Sequence, residues 1–285
     1  MTFSLSRREA ALVLVTLLWG GTFYAVQVAL TWAAPFALVG VRFSIAAALL
    51  GAVLWWRGEL QGLNRFELRA GVVLGFWVFM GFGLQTAGLQ HIESSKSGFL
   101  TALYVPLVPL VLLLWKRQLP SAWAWLAIGL AVAGTYALTG ANVDLSTFNV
   151  GDWLTVACAL AFAMEIVLLG HYSKHCNPVR LAWVLVAVAA VLSWGTSAVL
   201  QEGRIDWAWP FVALIVVLAC ITAFVQFAMS WAQQAVPETR ATLIYSMEPV
   251  WAALVGAIAG ERLGLLGLLG GALIVVAVWV GKLKP

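Results

Sequence analysis

The chain has 285 residues, of which 63% are hydrophobic and only 10% are Asp, Glu, Lys or Arg. Soluble globular domains carry about 25% charged residues, so this composition excludes a water-soluble globule, and the high hydrophobicity excludes a disordered chain. The net charge of +4 is the difference between 16 basic and 12 acidic residues, and the basic ones are spread too thinly to form a nucleic-acid-binding face. The three cysteines lie too far apart for a disulfide framework or a paired metal site. A membrane protein with many spans remains.

In chain order, ten apolar stretches are each long enough to cross a membrane, since a helix needs about 20 apolar residues to span about 30 Å of hydrocarbon. They cover approximately residues 8–31, 36–56, 66–90, 97–115, 121–139, 151–172, 179–200, 209–234, 240–259 and 263–281. The first stretch exceeds the core of a signal peptide, about 7–15 residues, so we interpret it as a span. The sequence therefore predicts an all-α integral membrane protein with ten transmembrane helices.

The basic residues outside these spans predict the orientation, because cytoplasmic loops carry an excess of Lys and Arg. Connections on the side of the N-terminus hold twelve of them, whereas the opposite side holds three, Lys96, Arg204 and Arg262. An added or dropped span would destroy this asymmetry. Both termini are therefore expected in the cytoplasm.

The two halves of the chain match each other when one is shifted by 143 residues. The shift superposes rare residues, namely Pro35 on Pro178, Glu59 on Glu202, Gln90 on Gln233 and Pro106 on Pro249. Each half contains five predicted spans, an odd number, so the second half enters the membrane from the opposite face. We therefore expect two inverted five-helix repeats, residues 1–140 and 150–285. Secondary transporters typically have such repeats, with the binding site near the midplane between them.

Two carboxylates, Glu165 and Glu248, lie deep in the predicted membrane, where an ionisable side chain is a functional candidate by default. Glu248 lies near the midplane and precedes Pro249, which lacks a backbone N–H and favours a kink. It either faces a wet cavity, binding an ammonium group or exchanging a proton, or fixes a neighbouring helix as a structural hydrogen-bond acceptor. Glu165 matches Thr22 in the repeat, so symmetry does not require a carboxylate there. A specific role and snorkelling to the interface both stay open for it.

Arg42 is the basic residue inside the second predicted span. It is a candidate to bind a substrate carboxylate, but it could also extend to the interface or pair with a loop acid such as Asp152 or Asp206. These three interpretations stay open.

Several glycine and proline residues predict where helices bend or pack closely. Interruptions at corresponding places in two halves indicate a binding site, and the candidate positions are Gly20, Gly21, Pro106 and Pro109. The small-xxx-small spacing of close helix packing occurs at two pairs, Gly71 with Gly75 and Gly256 with Gly260.

Aromatic residues near the middle of the spans are candidates to line a cavity for an aromatic side chain, although aromatic residues also face lipid or fill gaps between helices. They can stack on a ring and attract an ammonium group. The candidates are Trp19, Tyr24, Trp77, Tyr104, Tyr245 and Trp251. Gln27 and Gln226 are polar candidates to orient a substrate.

Motifs for other chemistry are missing from the sequence. There is no GxxxxGK[ST] phosphate loop and no HExxH motif or arranged nucleophile and base, so neither an ATP-driven pump nor an enzyme is expected. His171 and His175 have a metal-like spacing but no apparent third ligand. We therefore expect no cofactor and no metal.

Three sets of motifs resemble a known family, the EamA-type ten-span branch of the drug/metabolite transporter superfamily. They are TLLWGGTF at residues 16–23, VRF at 41–43, and YSMEPVWAA at 245–253 followed by GERL at 260–263 and GGALI at 270–274. The resemblance covers essentially the whole chain and implies two five-span inverted repeats. Within the superfamily the chain looks most like exporters of aromatic and other neutral amino acids in the bacterial inner membrane.

The sequence therefore predicts a secondary transporter that moves a small amphipathic metabolite out of the cytoplasm by alternating access. A monomer could suffice, because one chain supplies both halves, and the expected partners are a small-molecule substrate and the lipid bilayer. A multidrug or metabolite exporter of the same superfamily fits the same features. A lipid-handling flippase or a membrane enzyme is a weaker alternative, because Arg42 alone makes a poor phosphate site. Glu165 or Glu248 is the hypothetical group for proton coupling.

Overall fold

The computed structural model describes residues 5–117, 120–140, 148–258 and 264–281, and these ranges contain helices and turns but no strand. The first half contains α1 (Arg7–Gly20), α2 (Thr22–Ala29), α3 (Pro35–Trp56), α4 (Arg65–Gly88), α5 (Ser94–Thr101), α6 (Tyr104–Lys116) and α7 (Ala122–Thr135). The second half contains α8 (Val150–Tyr172), α9 (Pro178–Val199), α10 (Trp209–Ala232), α11 (Glu238–Tyr245), α12 (Glu248–Ile258) and α13 (Leu265–Val280).

Seven helical segments are long and apolar enough to cross a membrane. They are Arg7–Ala29, Pro35–Trp56, Arg65–Gly88, Ser94–Lys116, Val150–His175, Pro178–Val199 and Trp209–Ala232. Two further apolar helices, Ala122–Leu138 and Leu265–Val280, are shorter, and the ninth predicted stretch coincides with α11 and α12. The all-helical membrane class is thereby confirmed, while the count of ten spans stays a prediction.

Three helices begin with a capping box, in which the side chain before the helix and the acid at its third residue bond each other's backbone N–H. The pairs are Ser6 with Glu9 in α1, Asn64 with Glu67 in α4, and Asn149 with Asp152 in α8. Each box satisfies backbone donors that a helix start leaves free. It also fixes an acid at the end of a span, where it can bind a basic residue from another helix.

The helices α3 and α9 run antiparallel, and each is held at its start by the end of the other. Glu202, after α9, accepts hydrogen bonds from the backbone N–H of Phe36 and Ala37 at 3.1 and 2.7 Å. Glu59, after α3, accepts one from Nδ2 of Asn177, the residue that caps α9, at 3.0 Å. Carboxylates stabilise helix starts because the free N–H groups and the helix dipole are positive there. These contacts fix the relative direction of two long helices from different halves.

Glycines allow close contact between the halves. A Cβ at Gly75 would lie 2.6 Å from Cβ of Val188, and one at Gly71 would overlap the side chain of Val184. The predicted packing role of Gly71 and Gly75 is therefore confirmed, and it serves the contact between α4 and α9. Gly260, of the other predicted pair, lies outside the described residues.

Candidate functional site

Three helical segments are interrupted near the middle of the molecule. The first breaks between α1 and α2 at Gly21, the second between α5 and α6 at Ala102 and Leu103, and the third between α11 and α12 at Ser246 and Met247. The predicted bend at Gly20 and Gly21 is confirmed.

Prolines account for two of these breaks. Pro106 is the third residue of α6 and Pro249 the second of α12, positions where a helix tolerates proline because the first N–H groups have no partner in the helix. Neither proline can donate to the carbonyl four residues earlier, which belongs to Ala102 in the second break and to Tyr245 at the end of α11. The other candidate, Pro109, lies inside α6. The helix ends freed by the breaks all lie around one cavity.

The cavity lies between the two halves and contains about 430 Å³ of empty space, counting the part that is open to solvent. Five of its lining residues are aromatic, two are carboxylates, and none is a lysine or arginine. The lining consists of Trp19, Thr22, Phe23, Phe82, Gln85, Thr101, Tyr104, Phe162, Glu165, Ile166, Met229 and Glu248. It thus combines apolar walls with acceptors for a positively charged group.

Two triplets of lining residues occupy equivalent sequence positions. Trp19, Thr22 and Phe23 flank the break after α1, and the residues 143 positions later are Phe162, Glu165 and Ile166 on α8. Both triplets have the spacing i, i+3, i+4, which places the three residues of α8 on one face of that helix, while the first triplet keeps the same spacing across the break. The cavity therefore has related walls from both halves.

Glu165 lies at the centre of a buried polar contact between α8 and α10. It is 2% exposed, and its Oε1 accepts a hydrogen bond at 3.2 Å from Nε2 of Gln226, which is fully buried. The carboxylate is therefore oriented by an uncharged partner and still faces the cavity. It does not reach the membrane surface, so snorkelling does not describe it.

Glu248 is the first residue of α12, is 9% exposed, and shares the cavity lining with Tyr104. A carboxylate at a helix start is stabilised by the positive end of the helix dipole. Nearby, the Sγ of Cys158 lies 3.7 Å from Oγ1 of Thr101, another lining residue. The two acids thus enter the cavity from different helices and with different neighbours.

Tyr245 lies behind the lining. Its hydroxyl accepts a hydrogen bond at 2.9 Å from Nε2 of Gln233, and its ring lies 5.5 Å from that of Trp19, measured between centroids. Trp251 donates from Nε1 to Oγ1 of Thr16 at 2.9 Å and so joins α12 to α1.

The structure brings six of the nine candidate site residues together. Trp19, Tyr104, Glu165 and Glu248 line the cavity, and Gln226 and Tyr245 contact lining residues. The other three lie outside the lining: Tyr24 is 70% exposed, Gln27 is half-buried, and Trp77 is half-buried against the ring of Phe76. The sequence reasoning missed several lining residues, among them Phe23, Phe82, Gln85 and Phe162. The helical spacing from Trp19 and Glu165 could have identified Phe23 and Phe162.

Arg42 is buried close to the cavity without lining it. Its Nε donates a hydrogen bond to Oγ1 of Thr222 at 2.6 Å, and its guanidinium carbon lies 5.1 Å from the centroid of the Phe82 ring, which lines the cavity. The side chain is 3% exposed, so it does not extend to the interface. Nor does it pair with Asp152, whose carboxylate binds Lys96.

Two ion pairs join the halves at equivalent helix positions. Lys96 Nζ lies 2.7 Å from Oδ1 of Asp152, and Arg240 Nε lies 2.9 Å from Oε1 of Glu9. Each acid is the third residue of its helix, α8 or α1, and each base is the third residue of α5 or α11. Both pairs therefore tie the first helix of one half to an interrupted helix of the other half.

The ion pairs lie at opposite ends of α8. Asp152 is near its start, whereas Glu238, two residues before Arg240, packs on Gly170 near its end. With 23 residues, α8 is about 35 Å long, close to the thickness of a bilayer. The cavity lies between the two ion pairs.

Comparison with known proteins identifies relatives along the whole chain. A family model described as the EamA-like transporter family matches residues 8–140 and 149–280. An uncharacterized transporter of Archaeoglobus fulgidus is 31% identical over 278 residues, which cover 97% of this chain and 86% of the relative. The uncharacterized transporter YoaV of Bacillus subtilis is 20% identical over 86% of both chains. A solved crystal structure with 18% identity shares the fold, with a TM-score of 0.81 over 99% of this chain and all of the other.

These matches agree with the all-helical membrane architecture and with the sequence motifs. The relatives are named as transporters, as expected for a chain that carries no enzyme motif. The chain belongs to the EamA-like transporter family of the drug/metabolite transporter superfamily.

Proposed function

We propose that the protein is a secondary transporter that exports small amphipathic metabolites, above all aromatic and other neutral amino acids, across the bacterial inner membrane. The observation that carries the proposal is the cavity between the halves, which is surrounded by interrupted helices and lined by five aromatic rings and two carboxylates. Transporters typically bind substrate near the midplane where helices are discontinuous. We propose that both termini are cytoplasmic, as the distribution of basic residues predicts.

The proposed repeats, residues 1–140 and 150–285, are supported by pairs of equivalent elements. The helices α3 and α9 correspond under the shift of 143 residues and run antiparallel, as inversion requires. The break between α5 and α6 corresponds, within one residue, to the break between α11 and α12. Two related bundles in opposite orientations can exchange conformations, so that the same site opens to either face.

An amino acid requires acceptors for its ammonium group, donors for its carboxylate and an apolar wall for its side chain. We propose that Glu248 and the neighbouring rings bind the ammonium group, with Trp19 and Tyr104 forming part of the wall. Arg42 supplies the opposite charge behind Phe82, and no carboxylate among the described residues forms an ion pair with it. Tyr24, Gln27 and Trp77 are not part of the proposed site.

Counterflow in proteoliposomes tests the proposal. We expect unlabelled phenylalanine inside the vesicles to drive uptake of labelled phenylalanine. Arg42→Gln should weaken competition by phenylalanine about tenfold, because it removes the positive charge behind Phe82, whose attraction for the substrate carboxylate in a partly desolvated site is on the order of 1–2 kcal/mol. It should leave competition by phenethylamine, which lacks the carboxylate, unchanged, while Arg42→Lys should retain part of the phenylalanine affinity.

The control for this experiment is Arg57→Gln, which removes a half-exposed arginine from an ion pair with Glu59 at a helix end. It should leave competition by both compounds unchanged. Failure of every neutral amino acid to exchange would refute the assignment of amino acids. An equal effect of Arg42→Gln on both compounds would give Arg42 a structural role only.

An exporter of cationic amphiphiles is the second candidate. It is favoured by one observation, the presence of two carboxylates and no basic residue in the lining. Rings and carboxylates together suit an organic cation. Strong competition by cationic dyes, with none by neutral amino acids, would select this function.

A further inference from the structure

Two polar residues on α10 and the residue that caps its end each have a buried oxygen that accepts no hydrogen bond from any described residue. They are Gln226 through Oε1, Ser230 through Oγ and Gln233 through Oε1, and all three residues are 0% exposed. Buried polar atoms almost always have a partner, in protein or in ordered water, because leaving one without a partner is unfavourable. An explanation is therefore needed for three such atoms along one helix and its cap within a membrane.

These residues form a continuous line, which we call the α10 polar track. The spacing i, i+4, i+7 places them on one face of α10, with rises of about 6 and 4.5 Å along the axis. One end is at Glu165, which accepts a hydrogen bond from Gln226. The other end is at Gln233, which follows the last residue of α10 and donates to the hydroxyl of Tyr245. The track therefore leads from the cavity wall to the end of the helix.

The spacing fits water. Hydrogen bonds to water have heavy-atom distances of about 2.8 Å, so one molecule can bridge two polar atoms that lie about 5–6 Å apart. A buried water is stable where it has two to four polar partners. The unpartnered oxygens of the track, with the carboxylate of Glu165 and the hydroxyl of Tyr245, provide such partners at each step.

We propose that the α10 polar track holds a file of water molecules that conducts protons between Glu165 and the cytoplasmic end of α10. Each water accepts one proton and passes another on, so the net change is one O–H bond formed on Glu165 and one proton taken from bulk water at the end of α10, or the reverse. Gln226, Ser230 and Gln233 position the water and do not themselves titrate. This inference rests on the proposed transport function and assigns proton coupling to Glu165, which leaves Glu248 for the substrate.

The surroundings of Glu165 favour this assignment. The titratable groups that face it are Tyr104 of α6, Tyr245 of α11 and Glu248 of α12, none of which is cationic. The helices α4 and α10 present uncharged residues there. Other described segments that pack on α8 also carry charged or titratable groups. These groups lie near the ends of α8 or near the ends of their own helices. They are Arg65, Glu67, Arg69, His91, Lys96, Lys116, Lys174, His175, Glu238 and Arg240. The nearby cation Arg42 of α3 donates to Thr222, one helical turn before Gln226 and so on the opposite side of Gln226 from Ser230. A proton that travels along the track to Glu165 therefore does not pass Arg42.

The experiment separates proton coupling from substrate exchange in proteoliposomes. Counterflow of labelled phenylalanine at equal pH reports exchange, and accumulation of labelled phenylalanine under a pH gradient reports coupling. Ser230→Val and Gln233→Leu should each lower the rate of pH-driven accumulation at least about tenfold, since each bridging water loses on the order of one hydrogen bond. Counterflow should stay within about twofold of wild type, because the track does not contact the substrate.

The control is Ser193→Val in α9, which removes a buried serine whose hydroxyl donates to the carbonyl of Ala189 in its own helix. It should change neither rate. Unchanged pH-driven accumulation in both track variants would overturn the inference, as would an equal loss of counterflow. Wild-type counterflow without any pH-driven accumulation would overturn the inference alone. Absence of wild-type counterflow with every neutral amino acid would overturn the proposed substrates and the inference together.

Discussion

The two ion pairs at the ends of α8 provide a test of alternating access. If each pair closes one end of the cavity, breaking one should favour opening at that end. Asp152→Asn removes the charge opposite Lys96 but keeps an oxygen that can accept the capping hydrogen bond from Asn149. Glu9→Gln does the same for the pair with Arg240.

The magnitude follows from the burial of the pairs. The side chain of Asp152 is 0% exposed and that of Lys96 17%, while Glu9 and Arg240 are each 12% exposed. Such pairs lie between exposed ones, which contribute up to about 1 kcal/mol, and fully buried ones, whose disruption costs about 3–5 kcal/mol. We therefore expect a shift of about 1–2 kcal/mol, or about 5- to 30-fold in the ratio of open to closed molecules.

The native Cys158 reports this opening, because its thiol is fully buried and contacts the lining residue Thr101. In a background with Cys176→Ser and Cys220→Ala, Asp152→Asn should increase labelling by a membrane-impermeant maleimide about 5- to 30-fold from the face at the start of α8. Glu9→Gln should do so from the opposite face. If both variants increase labelling from the same face, or neither changes the rate, the ion pairs do not close the ends.

Two further predictions concern stability, measured as the melting temperature in detergent. Glu202→Gln should destabilise the protein by about 1 kcal/mol, because the carboxylate accepts from two backbone N–H groups at the start of α3. Glu59→Gln should destabilise it less, because it affects one side-chain hydrogen bond and a partly exposed ion pair with Arg57. The reverse order would contradict the cross-capping of α3 and α9. Gly270→Ala should destabilise the protein by about 1–3 kcal/mol, since the new Cβ would lie 2.6 Å from the carbonyl oxygen of Gly134. Gly271→Ala should destabilise it less, because a Cβ there has no neighbouring atom within 4 Å. Equal melting temperatures of the two alanine variants would refute this close contact.

The sequence predicts the helical segments well because the bilayer imposes one length and one composition on every span. It also identifies Glu165 and Glu248, since a carboxylate inside an apolar stretch is conspicuous. The break at Gly21 is predicted by the glycine pair, but the breaks before Tyr104 and Glu248 are located only by the structure. A proline shows that a helix is interrupted, and the packing of its neighbours decides at which residue.

The partners of the charged residues could not be predicted. Arg42 bonds Thr222, and Glu165 bonds Gln226, over separations of 180 and 61 residues. Both depend on which face of α10 meets the other helices. When a helix is apolar on every side, the periodicity of its hydrophobic residues does not show which face packs against other helices. The same limitation explains why Tyr24, on the exposed side of α2, was a candidate site residue while Phe23 was not.

Some charged residues have a charged counterpart 143 positions away and others do not. This difference supports one role for the charges at the ends of the helices and another for those at the cavity. At the ends, Glu9 and Asp152 are equivalent under the shift of 143 residues and form equivalent ion pairs. A transporter that opens alternately to two faces needs two similar closures, and the inverted halves that we propose would supply them. At the centre, equivalence is lost, because Glu165 corresponds to Thr22 and Arg42 to Leu185.

These two unmatched charges contact α10 one helical turn apart, through Gln226 and Thr222, so they lie close together without forming an ion pair with each other. Opposite charges in a desolvated site attract strongly, and keeping them apart is unfavourable unless another group separates or bridges them. A proton on Glu165 removes the attraction, and a substrate carboxylate can then become the partner of Arg42 while the ammonium group binds Glu248. Protonation of Glu165 would in this way favour substrate binding and couple substrate movement to proton movement.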